Sequence, residues 1–135
     1  MEDRRTPGKA REGLRARPPS LGERAEEAGA TFLESLGFRI LERRFRTRSG
    51  EIDLIALEGP TLVFVEVKCR TSGTCGDPAE AVDRRKQARL VRAATIYLTR
   101  GGDADRACRF DVLEVSGSGG SALRCRLIRD AFEAP

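Results

Sequence analysis

Residues 50–70, GEIDLIALEGPTLVFVEVKCR, decide the fold. Two alternating stretches, Glu51 to Leu57 and Leu62 to Lys68, flank a Gly-Pro turn and predict a β-hairpin with the four-residue loop Glu58-Gly59-Pro60-Thr61. Ile52, Leu54 and Ala56 are expected on one face with Val63, Val65 and Val67. A loop of that length pairs Leu57 with Leu62, Ile55 with Phe64, Asp53 with Glu66 and Glu51 with Lys68, all on the other face. Opposed side chains stand with Cβ atoms about 4.5–5.5 Å apart, so two carboxylates facing each other repel. A divalent cation bridging Asp53 and Glu66 would relieve that repulsion, because hard cations such as Mg²⁺ take oxygen ligands. Lys68, two residues on and pointing the same way, would stand beside the ion. The plainer alternative is a solvated charged face, with Glu51–Lys68 an ordinary surface ion pair.

The rest of the chain narrows the chemistry. At 135 residues it is one domain with room for a core. No apolar run approaches the ~18 residues of a membrane span, and no signal-peptide core opens the chain, which predicts a cytoplasmic protein without a membrane partner. The four cysteines, Cys69, Cys75, Cys108 and Cys125, form no C-x-x-C pair, and histidine is absent. A structural zinc site is therefore disfavoured, and reduced, partly buried thiols are expected. Ser-His and Cys-His nucleophile systems are excluded, which leaves carboxylates, lysine, arginine or a metal.

Residues 1–20 hold Arg4, Arg5, Lys9, Arg11, Arg15 and Arg17 against Glu2, Asp3 and Glu12. With three prolines and no amphipathic period they read as a disordered basic arm, a loose attachment to phosphates or a solubilising tail. Residues 21–135 form the folded domain. A helix is expected from Leu21 to Leu36, with Ser20 and Glu23 as a capping box, Leu21, Ala25, Ala28, Phe32 and Leu36 as its buried stripe, and Gly37 as its stop. Glu26 falls on the flank of that stripe, within reach of a site beside the sheet or simply exposed.

A weakly patterned strand, Phe38 to Phe45, follows. Arg44, Arg46 and Arg48 then crowd the approach to Gly50, suiting a phosphodiester substrate or protecting an edge strand. The second helix is expected from Asp77 as N-cap and Pro78 at the first position to about Arg100, stopping at Gly101-Gly102. Val82, Leu90, Ala93 and Tyr97 mark its stripe. Lys86 lies within that stripe, so it must snorkel out or meet an acid or a phosphate; Arg84, Arg85 and Arg89 add to the helix's basic character. Strands at Arg109–Val115 and Leu123–Arg129 complete the order, with Asp111 expected to pair with an arginine in a structural role.

Asp53 followed by Glu66-Val67-Lys68 on the next strand, with an acid in a preceding helix, resembles the restriction-endonuclease-like nuclease superfamily. Gly22 and Glu26, Gly50-Glu51-Ile52-Asp53-Leu54-Ile55, Phe64 to Lys68, Lys86-Gln87 and Arg109-Phe110-Asp111 more closely resemble the uncharacterised bacterial YraN family, which is similar to archaeal Holliday-junction resolvases. The resemblance covers Leu21 to Phe132. It implies an α/β fold, a mixed β-sheet flanked by helices in the order α-β-β-β-α-β-β. It further implies Mg²⁺ or Mn²⁺ held by Asp53, Glu66 and Glu26, with Lys68 orienting the attacking water or stabilising the developing charge. Ile52 replaces the proline common before the superfamily's aspartate. Arg44, Arg46, Arg48, Arg70 and Lys86 are the expected contacts to nucleic acid, DNA before RNA. A homodimer would suit a two-fold symmetric junction. The alternative is a nucleic-acid-binding module with a vestigial site.

Overall fold

Ser20 starts the first helix as expected. Its hydroxyl accepts from the Glu23 amide at 3.1 Å, and the Glu23 carboxylate accepts from the Ser20 amide at 2.7 Å. The computed structural model describes residues 18–70, 83–103, 105–117 and 123–134. The basic arm therefore lies outside the described residues except for Pro18, Pro19 and Ser20, as do Cys75, Asp77, Pro78 and Val82.

Helix α1 spans Leu21–Ser35 and ends where Gly37 takes φ +96°. Its buried residues are Ala25, Gly29, Ala30 and Leu33, so the helix is rotated from the expected stripe and Leu36 is exposed. The reason is close packing. A Cβ at Gly29 would lie 2.6 Å from Leu113 Cδ2, so only small residues let the helix backbone approach the sheet here. The rotation also moves Glu26 from the flank onto the sheet-facing line of Ala30 and Leu33.

Five strands follow: β1 (Arg39–Arg46), β2 (Glu51–Glu58), β3 (Thr61–Arg70), β4 (Cys108–Ser116) and β5 (Arg124–Phe132). They form one sheet in the order β1-β2-β3-β4-β5, with β3 and β4 parallel and the other neighbours antiparallel. Helix α2, Arg84–Gly101, connects the parallel pair, as such a crossover requires. The α/β mixed sheet with the order α-β-β-β-α-β-β is the architecture the sequence implies.

Neighbouring residues of the central strands feed two separate clusters. Leu54, Ala56, Val63 and Val65 pack with Ala25, Ala30 and Leu33 of α1. Ile55, Leu62 and Phe64 pack with Leu90, Ala93 and Ala94 of α2. The helices thus cover opposite faces, each burying its own side of the hairpin.

The hairpin keeps the expected register, Leu57 opposite Leu62 and Ile55 opposite Phe64. The loop is shorter than expected, because Glu58 and Thr61 also pair and leave Gly59-Pro60 as the turn. Gly59 takes φ +59°, a conformation suited to the first central position of a tight hairpin. Among the described residues helix α2 starts at Arg84: Asp83 is extended (φ −75°, ψ 176°) and caps the Lys86 amide, while the expected start at Asp77 and Pro78 lies outside them. Gly102, at φ +74°, closes the other end.

Candidate functional site

The pairing of β2 with β3 ends at Leu54 and Val65, one step before the two acids. Asp53 leaves the regular ladder: its Oδ2 accepts the Val67 amide at 2.8 Å, a bond that a backbone carbonyl would otherwise receive. Across on β1, Arg44 takes φ +55°, a conformation that side-chain-bearing residues rarely adopt. The irregularity breaks the alternation. Ile52, expected beside Leu54 and Ala56, instead packs with Ile55 and Phe64 on the α2 side.

Asp53 and Glu66 nonetheless come together. They line a polar recess of about 190 Å³ with Glu51, Lys86, Arg89 and Leu90. Burial pushes the Asp53 carboxyl up to about 7, and the charge of Glu66 adds to the rise. The Val67 amide works against it, and the charge of Glu26 contributes more weakly. Glu66 is only 6% exposed. Its Oε2 lies 2.6 Å from the Lys86 ammonium, so Lys86 meets an acidic partner instead of snorkelling free. A larger, mainly apolar depression of about 630 Å³ lies beside Ala28, Phe32 and Leu123; neither Asp53 nor Glu66 lines it, and it offers no comparable chemistry.

The other expected site residues are less well gathered. Glu26 accepts from Arg44 Nε at 2.7 Å and reaches Asp53 only through its field. Accordingly, no group of three or more acids or thiols among the described residues is arranged to hold an ion. Lys68 follows Val67, which packs toward α1, and so shares the α2 side with Glu66. It sits in register with Glu114 of β4 and does not line the recess. The expected Glu51–Lys68 pair is not formed; Glu51 lies 3.6 Å from Arg46 Nε instead. Arg48 is exposed, and Arg70 closes β3 with its side chain outside the described residues.

Arg89 was expected only to broaden the charge of its helix, yet it lines the recess. Its spacing of three from Lys86 was the available signal. Gly50 explains its placement: a Cβ there would lie 2.7 Å from the Arg89 carbonyl oxygen, so the bare backbone lets α2 rest against the β1–β2 turn. Thr47 holds that turn, its hydroxyl accepting from the Ser49 and Gly50 amides at 3.0 Å.

Asp111 is structural, as expected. It is buried and accepts from Arg109 Nε at 2.9 Å and from the Asp130 amide at 2.9 Å. Among the described residues Cys69 and Cys108 are exposed free thiols and Cys125 is half-buried, so burial of these thiols is more limited than expected. No helix among the described residues is long and apolar enough to cross a membrane.

Fold and recess together define a small α/β protein whose central hairpin gathers two acids at its open end. The uncharacterised protein family UPF0102 matches residues 25–115, and the chain belongs to that family, the YraN family that its motifs resemble. It is 54% identical over 114 residues to a UPF0102 protein of Symbiobacterium thermophilum, covering 84% of this chain and 97% of the relative. A UPF0102 protein of Marinobacter nauticus is 45% identical over 125 residues, covering 93% and 98%. One of Desulforapulum autotrophicum is 47% identical over 113 residues, covering 84% and 93%. None of these names states an activity.

Proposed function

We propose that the protein is a cytoplasmic, metal-dependent nuclease that hydrolyses phosphodiester bonds in structured or branched DNA. The observation that carries this reading is the meeting of Asp53 and Glu66, two largely buried carboxyls at the open end of the central hairpin. Such a pair is costly without positive charge between or beside it.

The donor set suits a hard divalent ion. Mg²⁺ is commonly held by one or two carboxylates and keeps several of its waters, so a pair of acids is enough to hold it. Asp53 and Glu66 would hold the ion, with Glu26 contributing through water or through its field. When bound, Mg²⁺ or Mn²⁺ polarises a phosphoryl oxygen and lowers the pKa of an attacking water. The Val67 amide holds one oxygen of Asp53 in place. Lys86 balances Glu66 and keeps it in place. Lys68, on the same side of β3, supplies positive charge toward the scissile phosphate. Arg46 and Arg48 stand near enough to the recess in sequence to meet flanking phosphates, and a homodimer would match a four-way junction.

A second reading has its own support. Lys86 already neutralises Glu66, and Arg44 already occupies Glu26. A vestigial site, serving a nucleic-acid-binding module within a repair or RNA-processing complex, would look like this too. Purified protein with Mg²⁺ or Mn²⁺ and four-way, flapped and linear DNA separates the two. Cleavage that is lost in Asp53→Ala, Glu66→Ala and Lys68→Ala supports the nuclease. Binding without turnover in either metal supports the module, and cleavage that survives in all three variants assigns the activity to a contaminant.

A further inference from the structure

Helix α2 reads RRKQARLVRAATIYLTRG and carries Arg84, Arg85, Lys86, Arg89, Arg92 and Arg100 with no acid. Exposed helices commonly offset such cations with carboxylates one turn away. Here three of them sit in the first turn, where the helix dipole opposes positive charge. Two of the six are engaged by neighbours among the described residues. Lys86 binds Glu66, and the Arg100 guanidinium lies 5.7 Å from the centre of the Phe45 ring.

Arg85, Arg89 and Arg92 recur at intervals of four and three, so they share one face of the helix. All three are exposed, and none has an ion-pair partner among the described residues. At 1.5 Å rise per residue the row is about 10 Å long. Its middle member, Arg89, borders the acidic recess and is set there by the close approach of Gly50. The opposite face of the sheet is different in sign. Helix α1 presents Glu23, Glu26, Glu27 and Glu34 against Arg24, and the nearest arginines, Arg43 and Arg44, are bound to Glu27 and Glu26.

We propose that the Arg85–Arg89–Arg92 face of α2 is the track for a phosphodiester backbone, which enters the recess at Arg89 from the α2 side of the sheet. This rests on the nucleic-acid reading above and moves the main phosphate contacts away from Arg44 and Arg46, which are paired with glutamates. Three guanidiniums along one line, with no ion-pair partner among the described residues, suit a row of backbone phosphates, which are contacted without regard to base sequence. Such binding releases counterions and so weakens with salt.

The test is fluorescence anisotropy with the full chain in EDTA, where no cleavage confuses binding, across a salt series. The probes are a labelled DNA duplex, a four-way DNA junction and an RNA hairpin. Arg85→Gln, Arg89→Gln and Arg92→Gln are combined and compared with a triple variant that removes the same charge from exposed Arg24, Arg39 and Arg124. The α2 triple should weaken duplex binding roughly tenfold or more and make the salt slope shallower by about 2.7, or 0.9 per lost contact. The control triple should change both much less.

Equal losses in the two triples would reduce the effect to net charge and overturn the track, as would wild-type protein that binds no probe. The probes that respond distinguish DNA from RNA. Binding lost in the α2 triple, by a protein that cleaves nothing in any metal, would keep the track and sink the nuclease. Cleavage that depends on Asp53, with binding indifferent to the α2 triple, would do the reverse.

Discussion

Asp53→Asn should stabilise the metal-free protein at pH 8, although it alters the proposed site. The asparagine oxygen still accepts the Val67 amide, while the buried negative charge disappears. The carboxyl is raised from 3.8 to about 7, so the folded state holds its proton where the unfolded chain has released it. The sign follows from linkage: stability is greatest below the unfolded value near 4 and falls as pH rises through about 7. With 1.36 kcal/mol per pH unit, keeping this group charged costs on the order of 4 kcal/mol above pH 7. Relaxation and water entry reduce that, and a working gain of about 2–3 kcal/mol raises the melting temperature by roughly 10 °C for a domain of this size. Thermal melts of wild type and Asp53→Asn in EDTA at pH 5 and pH 8 measure it. The gap between them should be roughly a third as large at pH 5 as at pH 8, because the loss builds up between about pH 4 and pH 7. Mg²⁺ at ten times its Kd should then return about 1.4 kcal/mol to wild type at pH 8 and little to the variant. A variant that melts lower than wild type at pH 8, or a gap that does not change with pH, would refute the reasoning.

Gly50→Ala places a methyl 2.7 Å from the Arg89 carbonyl oxygen, and should cost about 1–3 kcal/mol in urea unfolding as α2 is pushed from the turn. Arg109→Met strands the buried Asp111 carboxylate, so a loss of about 3–5 kcal/mol is expected. Adding Asp111→Asn should recover part of it, because the two residues are coupled. Ser20→Ala removes the capping box and should lower stability by about 1 kcal/mol, with amide exchange rising mainly in the first turn of α1.

Much of the fold is legible in the sequence. The pairing of Leu57 with Leu62 and Ile55 with Phe64 follows from alternation and turn length, both local properties. Alternation fails at Asp53 because a period of two describes only a regular ladder, and this carboxylate takes an amide out of it. The stripe of α1 was misread for a different reason. Hydrophobic pattern gives weight to bulk, such as Phe32 and Leu36, whereas close approach to the sheet selects Gly29 and Ala30. The cap at Asp83 is not marked in the sequence, because Lys86 stands where a capping box would place an acid and no proline follows the cap. That Lys86 meets Glu66 depends on how a helix lies across a strand far away in the chain, which no spacing within the helix reveals.

Because Leu54 and Ile55 send their side chains to opposite sides, the sheet acts as a partition. The groups that border the acidic recess belong to the hairpin and α2, and Glu26 in the far layer adds only the field of its charge. The α1 half is thus open to gradual exchange of its aliphatic filling, insulated by a wall of backbone. A lineage adjusting to heat or cold has one chamber to refurnish while the other keeps its instruments in place.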